Sequence, residues 1–150
     1  MPGRRRGQVK LSSAAKAAHL RVGRNGEKCA AKVLRAEKCI VLARNYRCPA
    51  GEIDIVARDG ETLVFVEVKT RRGKLAADSS PGDNLSSNQK KRIIRASSYY
   101  LAEIDRPSCR CRYDLIEVLA GRFGPRSIKH WRDCFTPSES FRHEKPLIDF

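Results

Sequence analysis

Long hydrophobic runs are missing from this sequence: no apolar stretch approaches the roughly 20 residues that span a bilayer, so no membrane partner is expected. The start, Met1 to Lys10, is basic and leads into Ala-rich amphipathic sequence rather than the apolar centre of a secretory signal, and a cytoplasmic protein is the expectation. Close cysteine pairs are also lacking. Cys29, Cys39, Cys48, Cys109, Cys111 and Cys134 include no Cys-x-x-Cys, which argues against a disulfide scaffold or structural zinc and for six reduced, mostly buried thiols. A zinc site built from Cys109, Cys111 and Cys134 is the lesser alternative. No glycine-rich phosphate loop and no nucleophile elbow is present. His19, His130 and His143 stand apart without ligand spacing, and structural or surface roles are expected for them. Aromatic residues are few, and Trp131, Tyr99 and Tyr100 are expected in the core rather than stacked on bases.

Acidic residues are absent from the first 24 positions, which carry seven basic ones. Residues 25–68 balance at seven of each sign, 69–95 hold eight basic against two acidic, and 96–150 hold nine against eight. Nearly all of the net charge of +14 therefore sits in two blocks around a neutral middle. That is the distribution expected if a central site does chemistry while its rims hold polyanion phosphates. A solvated tail explains residues 1–12 equally well. At 150 residues one domain suffices, and its core needs no staples.

The pattern along the chain predicts a basic flexible tail over 1–12, a domain over 13–136 and a loosely packed tail over 137–150. From Ser13 to about Lys38 good helix formers dominate, with a stripe of Cys29, Ala30, Val33 and Leu34; Gly23 to Gly26 leaves open one long helix or two short ones. Cys39–Tyr46, Ile53–Ala57 and Thr62–Lys69 read as strands, the last two joined by an Asp59-Gly60 hairpin turn. After a long loop, Ser86 and Gln89 form a capping box for a helix that ends before Pro107. Two further strands, Tyr113–Leu119 and Ser127–Arg132, complete an α/β sandwich of one mixed sheet with helices against it.

Three carboxylates and a lysine interrupt otherwise apolar strands in Gly51-Glu52-Ile53-Asp54-Ile55-Val56-Ala57 and Leu63-Val64-Phe65-Val66-Glu67-Val68-Lys69. If Asp59-Gly60 is the turn, Arg58 pairs Glu61, Asp54 faces Phe65 and Glu52 faces Glu67. Glu52, Asp54, Phe65, Glu67 and Lys69 then share one face, leaving Ile53, Ile55, Val64, Val66 and Val68 to the core on the other. Asp54 and Glu67 become diagonal neighbours able to reach one ion. Like charges held so close call for a cation, and Mg²⁺ (or Mn²⁺) suits two carboxylates plus a substrate phosphate. Lys69 would lie beside the metal to orient or activate a water. The alternative is a cross-strand salt bridge of Lys69 with Glu67 or Glu52 on a solvated face, which the apolar surroundings disfavour.

Asp54, twelve intervening residues and then Glu67-Val68-Lys69 resemble the core motif of the PD-(D/E)xK nuclease superfamily. A wider set resembles the YraN-like family of uncharacterised bacterial proteins, itself similar to archaeal Holliday-junction resolvases: Gly26-Glu27, Arg44-Asn45-Tyr46-Arg47, Gly51-Glu52-Ile53-Asp54, Phe65-Val66-Glu67-Val68-Lys69-Thr70-Arg71, Arg112-Tyr113-Asp114 and Ile128-Lys129-His130-Trp131, leading to Phe135. The resemblance implies a restriction-endonuclease-like α/β/α core with a central mixed five-stranded sheet. It implies Asp54 and Glu67 as metal ligands, Lys69 as the catalytic lysine and Glu27 as a third ligand, although residues alone leave Glu27 equally at home on a helix surface. Glu52 is a helper or a salt-bridge partner. The second helix offers Gln89, Lys90 and Lys91 where the family has a lysine. Resolvase-like relatives also imply a two-fold dimer.

The leading expectation is a Mg²⁺-dependent endonuclease acting on branched or structured nucleic acid, DNA before RNA, with Arg71, Arg72, Lys74, Lys90, Lys91, Arg92 and Arg95 holding backbone phosphate. A nucleic-acid-binding module without hydrolysis is the main alternative, although carboxylates facing phosphate would gain it nothing. A basic assembly protein working through residues 1–12 is the third.

Overall fold

The computed structural model describes residues 13–73 and 84–140. The expected tail over 1–12, Lys74, His143 and the chain after residue 140 lie outside them. The elements run α1 (Ser13–Ala36), β1 (Ile40–Cys48), β2 (Gly51–Asp59), β3 (Thr62–Arg72), α2 (Ser87–Glu103), β4 (Arg110–Ala120), β5 (Pro125–Trp131) and a single turn of helix, α3 (Pro137–Ser140). The strands form one five-stranded sheet in chain order, antiparallel except for the parallel β3–β4 pair. A parallel pair needs a crossover, and α2 supplies it. Its start is the expected capping box: the Gln89 N–H donates to Ser86 Oγ at 3.2 Å, and the Ser86 N–H to Gln89 Oε1 at 2.9 Å. α1 runs unbroken through Gly23 and Gly26.

Two apolar clusters give the three layers. Ala30, Ala31 and Leu34 of α1 pack with Ile55, Ala57, Val64, Val66, Ile116 and Val118, while Ile93, Ile94 and Ala96 of α2 pack with Ile53, Val56, Phe65, Tyr113 and Leu115. The helices therefore cover opposite faces of the sheet, the α/β/α arrangement expected. Tyr100 and Trp131 join the α2-side cluster as anticipated, but Tyr99 is 45% exposed. Pro137–Ser140, expected as part of a loose tail, forms one helical turn beside α2, with Pro137 and Ser138 exposed.

The β2–β3 hairpin differs from expectation by one turn residue at each end. Asp59 pairs Thr62, so the turn is Gly60-Glu61, and Gly60 takes the φ of 59° that a Gly-first turn asks for. This moves the register by two residues, which preserves every face but brings Asp54 opposite Glu67 rather than Phe65. A second difference changes faces. Ile53 joins Val56 and Phe65 on the α2 side, whereas Ile55 goes to the α1 side, so the strict alternation expected for Ile53 and Ile55 is interrupted at Asp54. The cause lies across β1–β2: Arg44 pairs Ile55 and Tyr46 pairs Ile53, and between them Asn45 has the left-handed φ of 51°, turning both strands over at one point.

One polar cluster fastens the layers. Asp114, 1% exposed, accepts Arg112 on both oxygens (2.9 and 3.1 Å), His130 Nε2 (2.8 Å) and the Asp133 N–H (2.9 Å). Arg112 reaches on to Asp59 at 2.9 Å, and His130 Nδ1 and Arg132 meet Glu37 just beyond α1 at 2.8 and 3.0 Å. Burial pushes the Asp114 carboxyl up, but His130, Arg112 and the Asp133 N–H together hold it below its ordinary value. Burial pulls His130 down, and the Asp114 and Glu37 partners more than reverse that, leaving it raised.

Candidate active site

Where β2 turns over, its ladder with β3 stops at Ile55–Val66. The next β3 amide beyond Glu67, Val68 N–H, donates instead to Asp54 Oδ2 at 2.8 Å, so a carboxylate replaces a main-chain carbonyl at the mouth of a cleft. Glu27, Arg47, Gly51, Glu52, Asp54, Glu67 and Arg92 line this cleft, about 610 Å³ in volume. Burial and then the charge of Glu67 push the Asp54 carboxyl up to about 7, against the pull of the Val68 N–H. Lys69 Nζ stands 3.4 Å from Glu67 Oε1, and with side chains only 26% and 12% exposed the pair is not a solvated surface bridge. Across β3–β4, Lys69 pairs with Glu117, a buried carboxylate whose Oε2 accepts the Trp131 Nε1–H at 3.0 Å.

Glu27 comes to the cleft because α1 lies unusually close to β3. A side chain at Gly26 would collide with Thr70 Oγ1, so only glycine lets the helix approach. Gly26→Ala should cost about 1–3 kcal/mol as an overpacked contact. Urea unfolding would show this, and adding Thr70→Ala to the same chain should recover most of it. Burial and the neighbouring Asp54 raise the Glu27 carboxyl. Asn45, its amide turned to give its nitrogen to the surrounding acceptors, lies 3.0 Å from Glu27 Oε2 and 3.3 Å from Glu52 Oε1. Glu52 also faces Arg47 at 3.7 Å.

The expected residues are thus partly gathered. Asp54, Glu67, Lys69, Glu27 and Glu52 converge, and Arg92 joins them with its stem laid across Gly51, where a Cβ would sit 2.8 Å from its Cγ and Cδ. Gln89 does not join, since its side chain caps α2. Lys90 lies over Phe135, 6.0 Å from the ring centroid. Arg71 approaches Asn84 at 3.5 Å, whereas Arg72 lines a different cavity on the α1 side. Among the described residues, no three His, Cys, Asp or Glu side chains close around one point, and this includes Cys109, Cys111 and Cys134. Sequence reading missed the linking role of Asn45, although an asparagine inside an apolar strand is a signal for left-handed backbone. It also missed Glu117, a carboxylate flanked by Val118 and Ile116 with no neighbour in sequence to mark it.

The model of the uncharacterised protein family UPF0102 matches residues 26–118, from the close-approach glycine to Val118 within β4. The chain belongs to that family. Similar UPF0102 proteins include that of Chlorobaculum parvum, 44% identical over 73% of this chain and 84% of its own. That of Beutenbergia cavernae is 44% identical over 74% and 92%, and that of Parafrankia sp. 46% over 77% and 96%. The family read from the motifs is therefore the right one. The UPF0102 match contains the whole carboxylate cleft and stops short of the β4–β5 turn. No helix among the described residues is long and apolar enough to cross a membrane.

Proposed function

We propose that this UPF0102 protein is a metal-dependent nuclease that hydrolyses phosphodiester bonds in nucleic acid, DNA in the first instance. The observation that carries the reading is the Asp54–Glu67 pair: two carboxyl groups held together at a half-buried point of the sheet, with an ammonium beside one of them. A fold does not gain stability from such a pair alone. The donors are hard oxygens, which fit Mg²⁺ or Mn²⁺, and two carboxylates suffice for an ion that keeps several waters and takes substrate phosphate. Bound there, the ion would supply Lewis-acid polarisation of the phosphoryl oxygen.

The chain's own residues do the rest. Lys69 stands with its Nζ 3.4 Å from Glu67 Oε1, where it can orient a water and face the charge that grows on phosphorus. Arg92, fixed along Gly51, offers a planar donor set to a phosphate entering the cleft. Glu27 and Glu52, linked through Asn45, form the acidic wall of the cleft nearest α1.

Calorimetric titration of Mg²⁺ and Mn²⁺, with cleavage of labelled linear, single-stranded, flap and four-way substrates, tests this. The wild type should bind an ion and cut. Glu67→Gln should lose both, while Lys69→Ala should keep ion binding and lose roughly 100-fold or more in cutting. Substrate binding without ion uptake or cutting would make the protein a binding module instead.

A further inference from the structure

On the α1 side of the sheet, beside the carboxylate cleft, lies a second cavity of about 460 Å³. Gly26 lines it and the next residue, Glu27, lines the cleft, so the two openings flank one turn of α1. Arg21 of α1, Arg72 at the end of β3 and Arg122 of the β4–β5 turn border it, and among the described residues no carboxylate does. Its floor is small and apolar, with Cys29, Val118 and Ala120. Beside Arg122 at the rim stands Phe123, 95% exposed. The Arg122 guanidinium lies 5.6 Å from the centroid of its ring.

Exposure of this phenylalanine is built into the turn. The Gly121 N–H donates to the Gly124 oxygen at 2.7 Å, a Cβ on Gly121 would sit 2.8 Å from that same oxygen, and Gly124 has a φ of 147°. Two glycines and Pro125 thus shape the tight turn that carries the exposed ring. A single exposed aromatic is ordinary on a surface, but one set at the rim of a cavity bordered by three arginines and, among the described residues, by no carboxylate invites a functional reason. Stacking on a base, with phosphates on the arginines, supplies one.

We infer that this cavity and Phe123 hold a single-stranded segment of nucleic acid, one base stacked on the Phe123 ring and the adjoining phosphates on Arg21, Arg72 and Arg122. A duplex keeps its base faces stacked inside the helix and cannot offer one to the ring, so the site selects unpaired strand. The volume lies within the roughly 300–1,000 Å³ of small-ligand pockets, enough for a nucleotide but not for a helix. The inference rests on the nuclease reading for what happens to that strand: it names a substrate with an unpaired stretch next to the scissile phosphate. Binding itself needs neither the carboxylates nor an ion.

The test measures binding in excess EDTA, by fluorescence anisotropy of labelled oligothymidylate and of a blunt duplex. Phe123→Ala removes no buried contact, so the protein stays folded, and it should weaken oligothymidylate binding by roughly 5- to 100-fold while changing duplex affinity less than about two-fold. Arg122→Ala should lower the salt slope of single-strand binding by about one. Phe123→Trp should bind like the wild type and have its new indole fluorescence quenched by the oligonucleotide. Unchanged single-strand affinity in Phe123→Ala, equal losses for strand and duplex, an unquenched indole, or displacement of the strand by an acidic peptide but not by a second oligonucleotide would each overturn the inference. Because EDTA removes any ion, a protein that binds the strand in this way yet neither takes up Mg²⁺ nor cuts sinks the nuclease reading alone. One that cuts with an unaltered KM in Phe123→Ala sinks this inference alone.

Discussion

Asp54→Asn should abolish ion uptake and cutting and, at the same time, make the metal-free protein more stable at pH 8. The carboxyl of Asp54 is raised to about 7 in the fold, above its ordinary value of 3.8. A raised folded pKa means that the native state holds the proton more tightly than the unfolded chain. The associated stability is complete below about pH 4 and is lost as the pH climbs through 7. At pH 8 the ionised pair thus costs at most about 4 kcal/mol, and an amide at position 54 removes that cost while still accepting the Val68 N–H. Melting curves from pH 4 to 8 test this: the wild type should decline over that range, and Asp54→Asn should lose the larger part of that decline and keep only what His130 contributes above about pH 6.5. Millimolar Mg²⁺ at pH 8 should restore the wild type and leave the variant unmoved. A variant that melts lower than the wild type at pH 8 would show that the pair is a stabilising contact rather than a held-open site.

Asp114→Ala should act in the opposite sense, destabilising by about 3–5 kcal/mol, the cost of leaving buried charges without their common acceptor. For a chain of this size that lowers the melting temperature by on the order of 10 °C. Arg112 would keep only Asp59, and His130 only Glu37. The raised His130 contributes stability that is present below about pH 6.5 and lost as the pH rises through its folded value, so the variant, left with Glu37 alone, should show a shallower alkaline decline. Ion uptake, measured where the variant remains folded, should persist, since the cleft lies elsewhere along the sheet. Loss of uptake in the folded variant would place Asp114 in the service of the cleft instead.

How far these features could be read from sequence depends on how local their causes are. The capping box at Ser86 and the β2–β3 hairpin are settled by neighbours a few residues apart, and both formed as expected apart from the turn register. Convergence of Asp54, Glu67 and Lys69 survived that error because a shift of two residues conserves side-chain parity. Parity itself failed at Ile53, because the left-handed turn of Asn45 sits on a different strand from the residues whose faces it reverses. The Asp114 cluster draws on Glu37, Asp59, Arg112, His130 and Arg132, scattered along the chain, and no local pattern announces it. Gly26 stands in a recognisable motif, but its purpose depends on Thr70, which only the fold places opposite it.

The Val68 amide links two things usually kept apart, the integrity of a sheet and the charge of a side chain in a cleft. Where β2 leaves β3, the last inter-strand bond is made to a carboxylate that can gain a proton and that, in the function proposed above, would engage an ion, so its strength varies with the charge at the cleft. The edge of the barrier between solvent and core is in that sense adjustable. Each change in the electrical state of Asp54 is also a change in how firmly the end of β3, with Lys69 on it, is held.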